Sequence, residues 1–291
     1  MSTSNSGHSA LSPLWPAQLD HITRASDRPE ALVAFYRDAI GMEPRELDSG
    51  LWLMQGPERR LLIAAGERGA QPLSAFRLQS RQQLEALRTY LSARGIGILP
   101  NATVLFAEGL AVRDPDGRIA AFGLPDAKFD APALTGLPGR LQHVVVATDR
   151  LDRLVNFYES GLGFVASDNV YEEGVGNAEA TATFLRSDPE HHSFAAFRAP
   201  ASRPDHHSYE TTCWNDIRDW ADHMGRQNIR LWWGPGRHGP GNNLFFMIED
   251  PEGYKVEISA ELELMPREMA PRRWKHEERT LNLWGQAWMR S

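Results

Sequence analysis

The segment Asn243-Leu-Phe-Phe-Met-Ile-Glu-Asp-Pro-Glu-Gly-Tyr-Lys-Val-Glu257-Ile-Ser contains two apolar runs separated by an Asp-Pro-Glu-Gly turn motif. This pattern predicts two antiparallel strands joined by a tight turn. Glu257 lies inside the second run, where a buried carboxylate is costly unless it faces a cation. The segment therefore predicts a hairpin whose carboxylate binds a metal ion.

Two histidines upstream occupy similar strand openings, His143 in Leu-Gln-His143-Val and His207 in Asp-His206-His207-Ser. Because side chains alternate between the faces of a strand, laying the second opening on the first puts His207, rather than His206, on the face of His143. Two imidazoles and one carboxylate from three strands form a set that leaves coordination positions open on Fe(II), and the same ligands suit Mn(II). The sequence thus predicts an open metal site made of His143, His207 and Glu257.

Composition limits the class of protein. The 291 residues are 42% hydrophobic and carry a net charge of -7, which gives no electrostatic reason to expect nucleic acid or an anionic membrane as a partner. No apolar run is long enough to span a membrane, and the N-terminal residues do not resemble a secretory signal. The single cysteine, Cys213, excludes an internal disulfide framework. These features predict a cytoplasmic protein.

An internal repeat organises the chain. Matching residues recur at the same spacing, which pairs His21 with His143, Phe35 with Phe157, Tyr36 with Tyr158, and Gly41 with Gly163. Each copy reads as a short strand, an amphipathic helix stopped by glycine, and further strands, and this pattern then restarts within the copy. The predicted fold class is α+β, with two domains, each of two paired βαβββ modules that form a curled mixed sheet around a cavity.

The predicted boundaries follow from composition shifts and from the ends of the repeats. A Pro, Ala and Gly-rich stretch separates the copies and predicts a linker. The segments are a flexible N-terminal tail, a first domain without metal, a linker, a second, catalytic domain and a C-terminal extension, at residues 1–17, 18–125, 126–139, 140–263 and 264–291.

With these modules and the candidate ligands His143, His207 and Glu257, the chain from Gln18 to Glu263 resembles the vicinal oxygen chelate superfamily, specifically the two-domain type I extradiol dioxygenases. The most specific features are the stretch Gly-Pro-Gly-Arg-His238-Gly-Pro-Gly and the hairpin after it. The resemblance implies an Fe(II)-dependent enzyme of aromatic hydrocarbon breakdown that cleaves the ring of a catechol-type vicinal diol with O2. It also implies a homo-oligomer.

The resemblance assigns two further histidines to the chemistry. His192 would act as an acid-base residue and contact bound oxygen, and His238 would hydrogen-bond a hydroxyl group of the substrate. Imidazole suits both roles because it gains and loses a proton near neutral pH. Their neighbours His191 and His206 are expected to be surface residues or to lie behind the site.

Other positions shape the expected pocket. The family commonly has a tyrosine where this chain has Met247, so Tyr209 is predicted to supply a phenol in its place. Trp232 and Phe245 are expected to form an apolar wall for the aromatic ring, near Met247. In the first copy, Ala121 aligns with the metal-binding carboxylate, so this copy is predicted to hold no metal.

Two other classes of protein remain open. A glyoxalase-like isomerase or lyase would use the same fold without O2, although its usual site has four protein ligands. A metal-free binding protein would fit the first copy but not the ligand set of the second. The C-terminal extension, 264–291, is rich in Trp and Arg, and it could pack on the mouth of its own site or on a neighbouring subunit.

Overall fold

A computed structural model describes residues 12–69, 73–130, 135–172 and 179–289. Most of the predicted N-terminal tail, residues 1–11, lies outside this description, as do residues 131–134 of the predicted linker and the last two residues of the extension. The prediction of a flexible tail therefore falls largely on residues that the structure does not describe.

The strands form two mixed sheets, and each sheet gathers the strands of one copy of the repeat. The first sheet contains β1 (Gln18–Ser26), β2 (Glu43–Asp48), β3 (Leu51–Gly56), β4 (Arg59–Ala65), β5 (Leu73–Arg77), β6 (Ile98–Pro100), β7 (Phe106–Arg113) and β8 (Ile119–Pro125). The second contains β9 (Arg140–Thr148), β10 (Val165–Tyr171), β11 (Ala180–Arg186), β12 (Phe194–Arg198), β13 (Arg203–Thr211), β14 (Trp233–Arg237), β15 (Leu244–Glu249), β16 (Lys255–Ala260) and β17 (Arg272–Lys275).

Helices follow the first strand of every module. They are α1 (Pro29–Asp38), α2 (Arg81–Ala93), α3 (Leu151–Asn156) and α4 (Trp214–Arg226), and a short α5 (Glu278–Leu281) lies in the C-terminal extension. A proline at the first position of α1 suits a helix start, because its missing N–H would have no partner there. The side chain of Ser80 caps α2 by accepting a hydrogen bond from the Gln83 N–H.

The two sheets share one topology, which confirms the predicted repeat. In the first, β1 runs parallel to β4 and antiparallel to β5, and β5 runs parallel to β8; β9, β12, β13 and β16 repeat these relations in the second. Every module has the order strand, helix and three strands. The α+β prediction is confirmed, with curled mixed sheets that do not close into barrels. The last strand, β17, comes from the C-terminal extension and joins the second sheet beside β10.

Side chains alternate across the central strands of the second sheet, which separates a core face from a cavity face. Along β9, Val144 and Val146 belong to the main hydrophobic core, whereas Val145 packs with Ala195 and Phe197 on the other face. His143 shares the face of Val145. The candidate site therefore lies on the concave side of the second sheet, opposite the helices.

Candidate active site

Three polar side chains meet at the centre of this concave face. His143 on β9, His206 on β13 and Glu257 on β16 each offer a ligand atom, and these atoms lie within 4.8 Å of one another. The Nε2 atom of His143 is 3.7 Å from Glu257 Oε1, and that of His206 is 3.6 Å from Glu257 Oε2. All three residues are buried. The arrangement is a two-histidine, one-carboxylate set carried by three adjacent strands.

The prediction of His207 as the second histidine is wrong, because the strand register places it on the opposite face. His206 pairs with Val145 and His207 pairs with Val144, and directly opposed residues of antiparallel strands point to the same side of the sheet. His207 instead stacks between the rings of Tyr36 and Tyr254, 6.0 and 5.4 Å from its ring centre. The matching residue for His143 is therefore His206.

A β-bulge before each histidine explains the misplaced alignment. The pairing of β9 with β13 slips at Gln142 on one strand and at Asp205 on the other, so each of these is an extra residue that shifts the alternation of side chains. The Nδ1–H of His143 donates to Gln142 Oε1 at 2.6 Å, and that of His206 donates to Asp205 Oδ2 at 2.7 Å. Because these partners accept hydrogen bonds from Nδ1–H, the Nε2 atom of each ring, when neutral, carries its lone pair toward Glu257.

The carboxylate of Glu257 is incompletely paired by protein. Ser208 donates to its Oε1 at 3.2 Å, whereas its Oε2 is buried without a hydrogen-bond partner among the described residues. Burial opposes ionisation, but His238, His206 and Ser208 outweigh it and hold the pKa of Glu257 below its ordinary value. A buried anion with a free oxygen, facing the Nε2 atoms of two imidazoles, fits a divalent metal ion such as Fe(II) or Mn(II).

His192 borders the same centre. Its ring centre lies 4.3 Å from that of His143, and the side chain lines the cavity in front of the three candidate ligands. Burial and the neighbouring imidazoles lower the pKa of His192 well below its ordinary value. The ring is therefore neutral near neutral pH, and it can accept a proton.

His238 approaches from the segment after β14. Its Nε2 atom lies 3.6 Å from Glu257 Oε2, and its Nδ1–H donates to the carbonyl oxygen of Leu281 at 2.5 Å. The ring of Phe245 stacks against it with ring centres 3.8 Å apart. The C-terminal extension thus fixes the orientation of His238, and Phe245 supports its ring.

Two of the predicted substrate-contacting side chains point elsewhere. Tyr209 shares the face of His207, as predicted, but this is the core face, and its hydroxyl contacts the Met42 sulfur at 3.8 Å. Trp232 packs on Trp288. Neither side chain is among the described residues that line the cavity.

Phe245 and Met247 lie on the strand next to β16. Met247 pairs with Glu257 and so shares its face, as predicted, but it is fully buried. Phe245 is also fully buried and lies behind His238. Among the described residues, neither lines the cavity. The predicted apolar wall of Trp232 and Phe245, near Met247, is therefore not where the cavity lies.

The cavity has a mostly apolar wall from the sheet and a partly polar cover from the C-terminal extension. Val145, Phe184 and Phe197 lie on the sheet side, and His276 and Leu281 contribute from the extension. The extension therefore packs on the mouth of its own site, one of the two arrangements that the sequence left open. Its β17 strand extends the same sheet.

The first sheet carries the equivalent positions without the equivalent side chains. Its register aligns Leu73 with His206 and Ala121 with Glu257, so the predicted match of Ala121 to the carboxylate position holds. His21, the counterpart of His143, hydrogen-bonds Asp20 at 2.6 Å and Thr103 at 2.7 Å. Two of the three ligand positions are thus aliphatic in the first sheet.

Comparison with protein families agrees with this fold. The sequence matches the family model described as Glyoxalase/Bleomycin resistance protein/Dioxygenase superfamily over residues 18–121 and 140–258. The chain belongs to this superfamily. The first matched range covers most of the first sheet, and the second covers most of the second sheet. Both repeats therefore belong to the superfamily.

Two curated relatives are similar to this chain in sequence. It is 27% identical to Metapyrocatechase 2 of Cupriavidus necator over 202 residues, which is 62% of this chain and 61% of that protein. It is 27% identical to the iron-dependent extradiol dioxygenase of Rhodococcus jostii strain RHA1 over 247 residues, 78% of this chain and 81% of that protein. The chain thus spans less than two thirds of the first relative and about four fifths of the second.

Solved structures confirm the superfamily fold. Homoprotocatechuate 2,3-dioxygenase from Arthrobacter globiformis superposes with a TM-score of 0.80 at 21% identity, covering 97% of this chain and 91% of that chain. The Mn(II)-bound glyoxalase from Novosphingobium aromaticivorans gives a TM-score of 0.77 at 24% identity, covering 92% and 90%. In the described part of the chain, no helix is both long and apolar enough to cross a membrane.

Sequence reasoning did not identify the partners of His191. This residue, expected to lie at the surface or behind the site, lies behind it: its imidazole contacts both His192 and Asp168, and Asp168 contacts Arg272 of the extension. Asp168 and Arg272 lie on β10 and β17, far from His191 in sequence, so no local spacing indicates the contact. The adjacent pair His191-His192 was the one available signal.

Proposed function

We propose that the protein is an extradiol dioxygenase, which cleaves the aromatic ring of a catechol-type vicinal diol with O2 at a non-haem Fe(II) site. The observation that carries this proposal is the open set of His143, His206 and Glu257 beside His192, at the end of a largely apolar cavity. Three protein ligands leave positions free on a metal ion, and the apolar wall suits an aromatic ring.

When bound by the same ligands, reduced iron or manganese would supply open coordination positions for the two diol oxygens and for O2. His143 and His206 would hold it through Nε2, and Glu257 through its free carboxylate oxygen. Gln142 and Asp205 orient the two imidazoles by accepting their Nδ1 protons. His192 accepts a proton at the cavity, and His238 orients a substrate hydroxyl by hydrogen bonding.

The names of the curated relatives support this activity. One is an iron-dependent extradiol dioxygenase, and the chain covers most of that protein. The alternative is a glyoxalase-like isomerase or lyase that does not use O2. It is less well supported, because the similarity to the Mn(II)-bound glyoxalase shows a shared fold and not a shared activity. The set of three candidate ligands also differs from the four that such an isomerase is expected to use.

The remaining parts of the proposal concern the whole protein. An aromatic diol and O2 are its substrates, and the chain works in the cytoplasm as a homo-oligomer. The two sheets correspond to two domains, divided at residues 126–139, and the second domain carries the chemistry.

The decisive test is anaerobic loading of the full chain with Fe(II), followed by O2 uptake on a panel of substituted catechols and a scan for the yellow ring-opened product. We expect one equivalent of O2 consumed per product formed. His192→Phe should keep the iron while turnover falls roughly 10²-fold, the usual contribution of a positioned acid-base residue.

An iron-loaded chain that consumes no O2 with any diol contradicts the proposal. Isomerisation of a glyoxalase-type substrate by the same preparation, without O2, would establish the alternative. A His192→Phe variant with parental turnover would remove His192 from the mechanism.

A further inference from the structure

A chain of hydrogen bonds, part-buried at Arg272 and buried beyond it, runs from the C-terminal extension to His192. Arg272 on β17 donates to Asp168 on β10 from Nε at 2.7 Å and from Nη2 at 3.0 Å. Asp168 Oδ2 lies 2.8 Å from His191 Nε2, and His191 Nδ1 lies 2.9 Å from His192 Nδ1. Asp168 and His191 are fully buried, and His192 is nearly so. The chain ends at the residue that faces the substrate cavity.

The ionisation states of Asp168 and His191 follow from their burial and from their hydrogen-bond partners. Burial opposes ionisation of Asp168, but hydrogen bonds from His191 and Arg272 outweigh it and lower the pKa of the carboxyl below its ordinary value. Burial also lowers the pKa of His191, although Asp168 opposes this effect. Near neutral pH, an ionised Asp168 therefore faces a neutral His191.

With Asp168 ionised and His191 neutral, only one set of proton positions satisfies every contact. A carboxylate accepts hydrogen bonds and cannot donate, so His191 must carry its proton on Nε2. The Nδ1 atom of the neutral His191 ring is then an acceptor, and His192 must donate to it from its own Nδ1–H. The Nε2 atom of His192 is left with a lone pair. The opposite tautomer of His191 would set a bare nitrogen 2.8 Å from a carboxylate oxygen.

We propose that Asp168 and His191 are positioning residues that hold His192 in the tautomer with a proton on Nδ1 and a bare Nε2, so that it is ready to accept a proton from the substrate. The proposal deepens the proposed function, because the tautomer matters to catalysis only if His192 is the acid-base residue. It also assigns a role to the C-terminal extension, since Arg272 clamps the carboxylate that begins the chain.

The backbone around His191 is also held in place. Ser167, the neighbour of Asp168 on β10, donates to the carbonyl oxygen of His191. Arg186 donates to the Ser167 hydroxyl at 2.8 Å and to three carbonyl groups of the extension. Both the ring and the main chain of His191 are thus fixed by the same strand, which limits rotation of the His192 partner.

Asp168→Asn gives the sharpest test, because it replaces one oxygen with an amide donor at nearly constant shape. The amide NH2 meets an Arg272 donor in either orientation, Nε at 2.7 Å or Nη2 at 3.0 Å; in the position facing His191 it avoids the closer donor and gains an acceptor, so it takes that position. His191 must then accept at Nε2 and donate from Nδ1. We expect His192 to switch to the tautomer with the proton on Nε2 and kcat to fall at least tenfold, with KM within about twofold.

Tautomers can be read without turnover from long-range ¹H–¹⁵N NMR spectra of histidine-labelled protein. The full chain is loaded with Zn(II), which keeps the site charged and the spectra diamagnetic, and His192→Phe identifies the His192 signals among the ten histidines. Asp188→Asn is the matched control, because Asp188, which precedes His191 closely in the sequence, is also a buried carboxylate but accepts from the Glu190 N–H. This control should keep the parental tautomer and kcat.

A proton on His192 Nε2 in the parent, or an unchanged tautomer in Asp168→Asn, would overturn the proposal. His191→Phe is a second test in case the Asp168 variant does not fold. Without the Nδ1 acceptor of His191, His192 should populate both tautomers, and this variant should lose less activity than His192→Phe. A single parental tautomer in His191→Phe counts against the proposal. If the iron-loaded chain oxidises no diol, the proposed function fails, while the NMR result still decides the tautomer.

Discussion

At the scale of single residues, hydrogen bonding distinguishes two adjacent histidines that sequence alone treats as equals. His206 donates from Nδ1 to Asp205 and turns its other nitrogen to Glu257. His207 is completely buried, and neither ring nitrogen has a hydrogen-bond partner among the described residues. A buried imidazole in this state costs stability, since its polar atoms have lost water without gaining a partner.

Replacement by phenylalanine should therefore lower the iron content at His206 and raise the folding stability at His207. We expect His206→Phe to lose most of its iron, because one of three ligands is gone. His207→Phe should keep the iron and raise the free energy of unfolding by about 1 kcal/mol, because phenylalanine preserves the stacked ring and removes the unpaired nitrogens. Metal analysis after desalting and urea unfolding measure the two effects.

Iron retention in His206→Phe together with loss in His207→Phe would make His207 the ligand instead. Loss of iron in both variants would show that metal content here follows packing rather than ligand identity.

At the scale of elements, the C-terminal extension completes the site, and none of its residues in the described part of the chain belongs to the candidate metal-ligand set. Its strand β17 lies parallel to β10, and its short helix α5 brings the Leu281 carbonyl to His238. The candidate metal ligands, by contrast, all lie on the central strands β9, β13 and β16. The proposed metal ligands and the residue proposed to orient the substrate, His238, are therefore held by different elements.

Truncation should separate these two functions. We expect a chain that ends at His276, which keeps β17 but lacks α5, to bind the parental amount of iron. Its kcat/KM should fall on the order of tenfold, because His238 loses a hydrogen bond worth about 1 to 3 kcal/mol. A chain ending at Trp284 retains Leu281 and is the control, with a smaller loss. Equal kinetics in the two truncated chains would show that Leu281 does not position His238.

At the scale of the whole molecule, the two repeats dock on each other reciprocally. Arg28 donates to the carbonyl of Pro251 in the turn between β15 and β16. Its counterpart in the second repeat, Arg150, pairs with Asp116 in the turn between β7 and β8 at 3.1 Å. Each repeat thus contacts the last hairpin turn of the other, and one hydrophobic core includes residues from both sheets.

Arg24 should be the most costly contact of this interface to remove. It pairs with Asp250 and, at 3.1 Å, with Glu252, and both carboxylates are buried. We expect Arg24→Met to lower the free energy of unfolding by about 3 to 5 kcal/mol, because it strands buried charge. Arg37→Met is the control, since the Arg37 and Asp38 side chains are more than half exposed, water screens their ion pair, and its loss should leave the unfolding midpoint unchanged.

Urea unfolding of the iron-loaded chains measures both changes. Equal, small losses in the two variants would mean that the contact between the repeats does not depend on the Arg24 ion pairs.

Features that depend on local sequence pattern, rather than on contacts between distant strands, could be predicted from the sequence. The order of strands and helices follows from the periodicity of apolar residues and from turn motifs, and the constant spacing from His21 to His143 and from Tyr36 to Tyr158 shows the repeat. A carboxylate inside an apolar strand indicates a cation, so local pattern is enough to select Glu257 and His143 as candidate ligands. These inferences need no knowledge of which distant strands pair.

Tertiary structure decided the features that depend on register between distant strands. His206 faces Glu257, and His207 does not, because bulges at Gln142 and Asp205 shift the alternation of side chains, and bulges are defined only by pairing with another strand. The contact of Asp168 with His191 and Arg272 likewise joins segments that are far apart in sequence. A change of one residue in register turns a side chain to the opposite face, so such contacts follow from the assembled sheet rather than from local pattern.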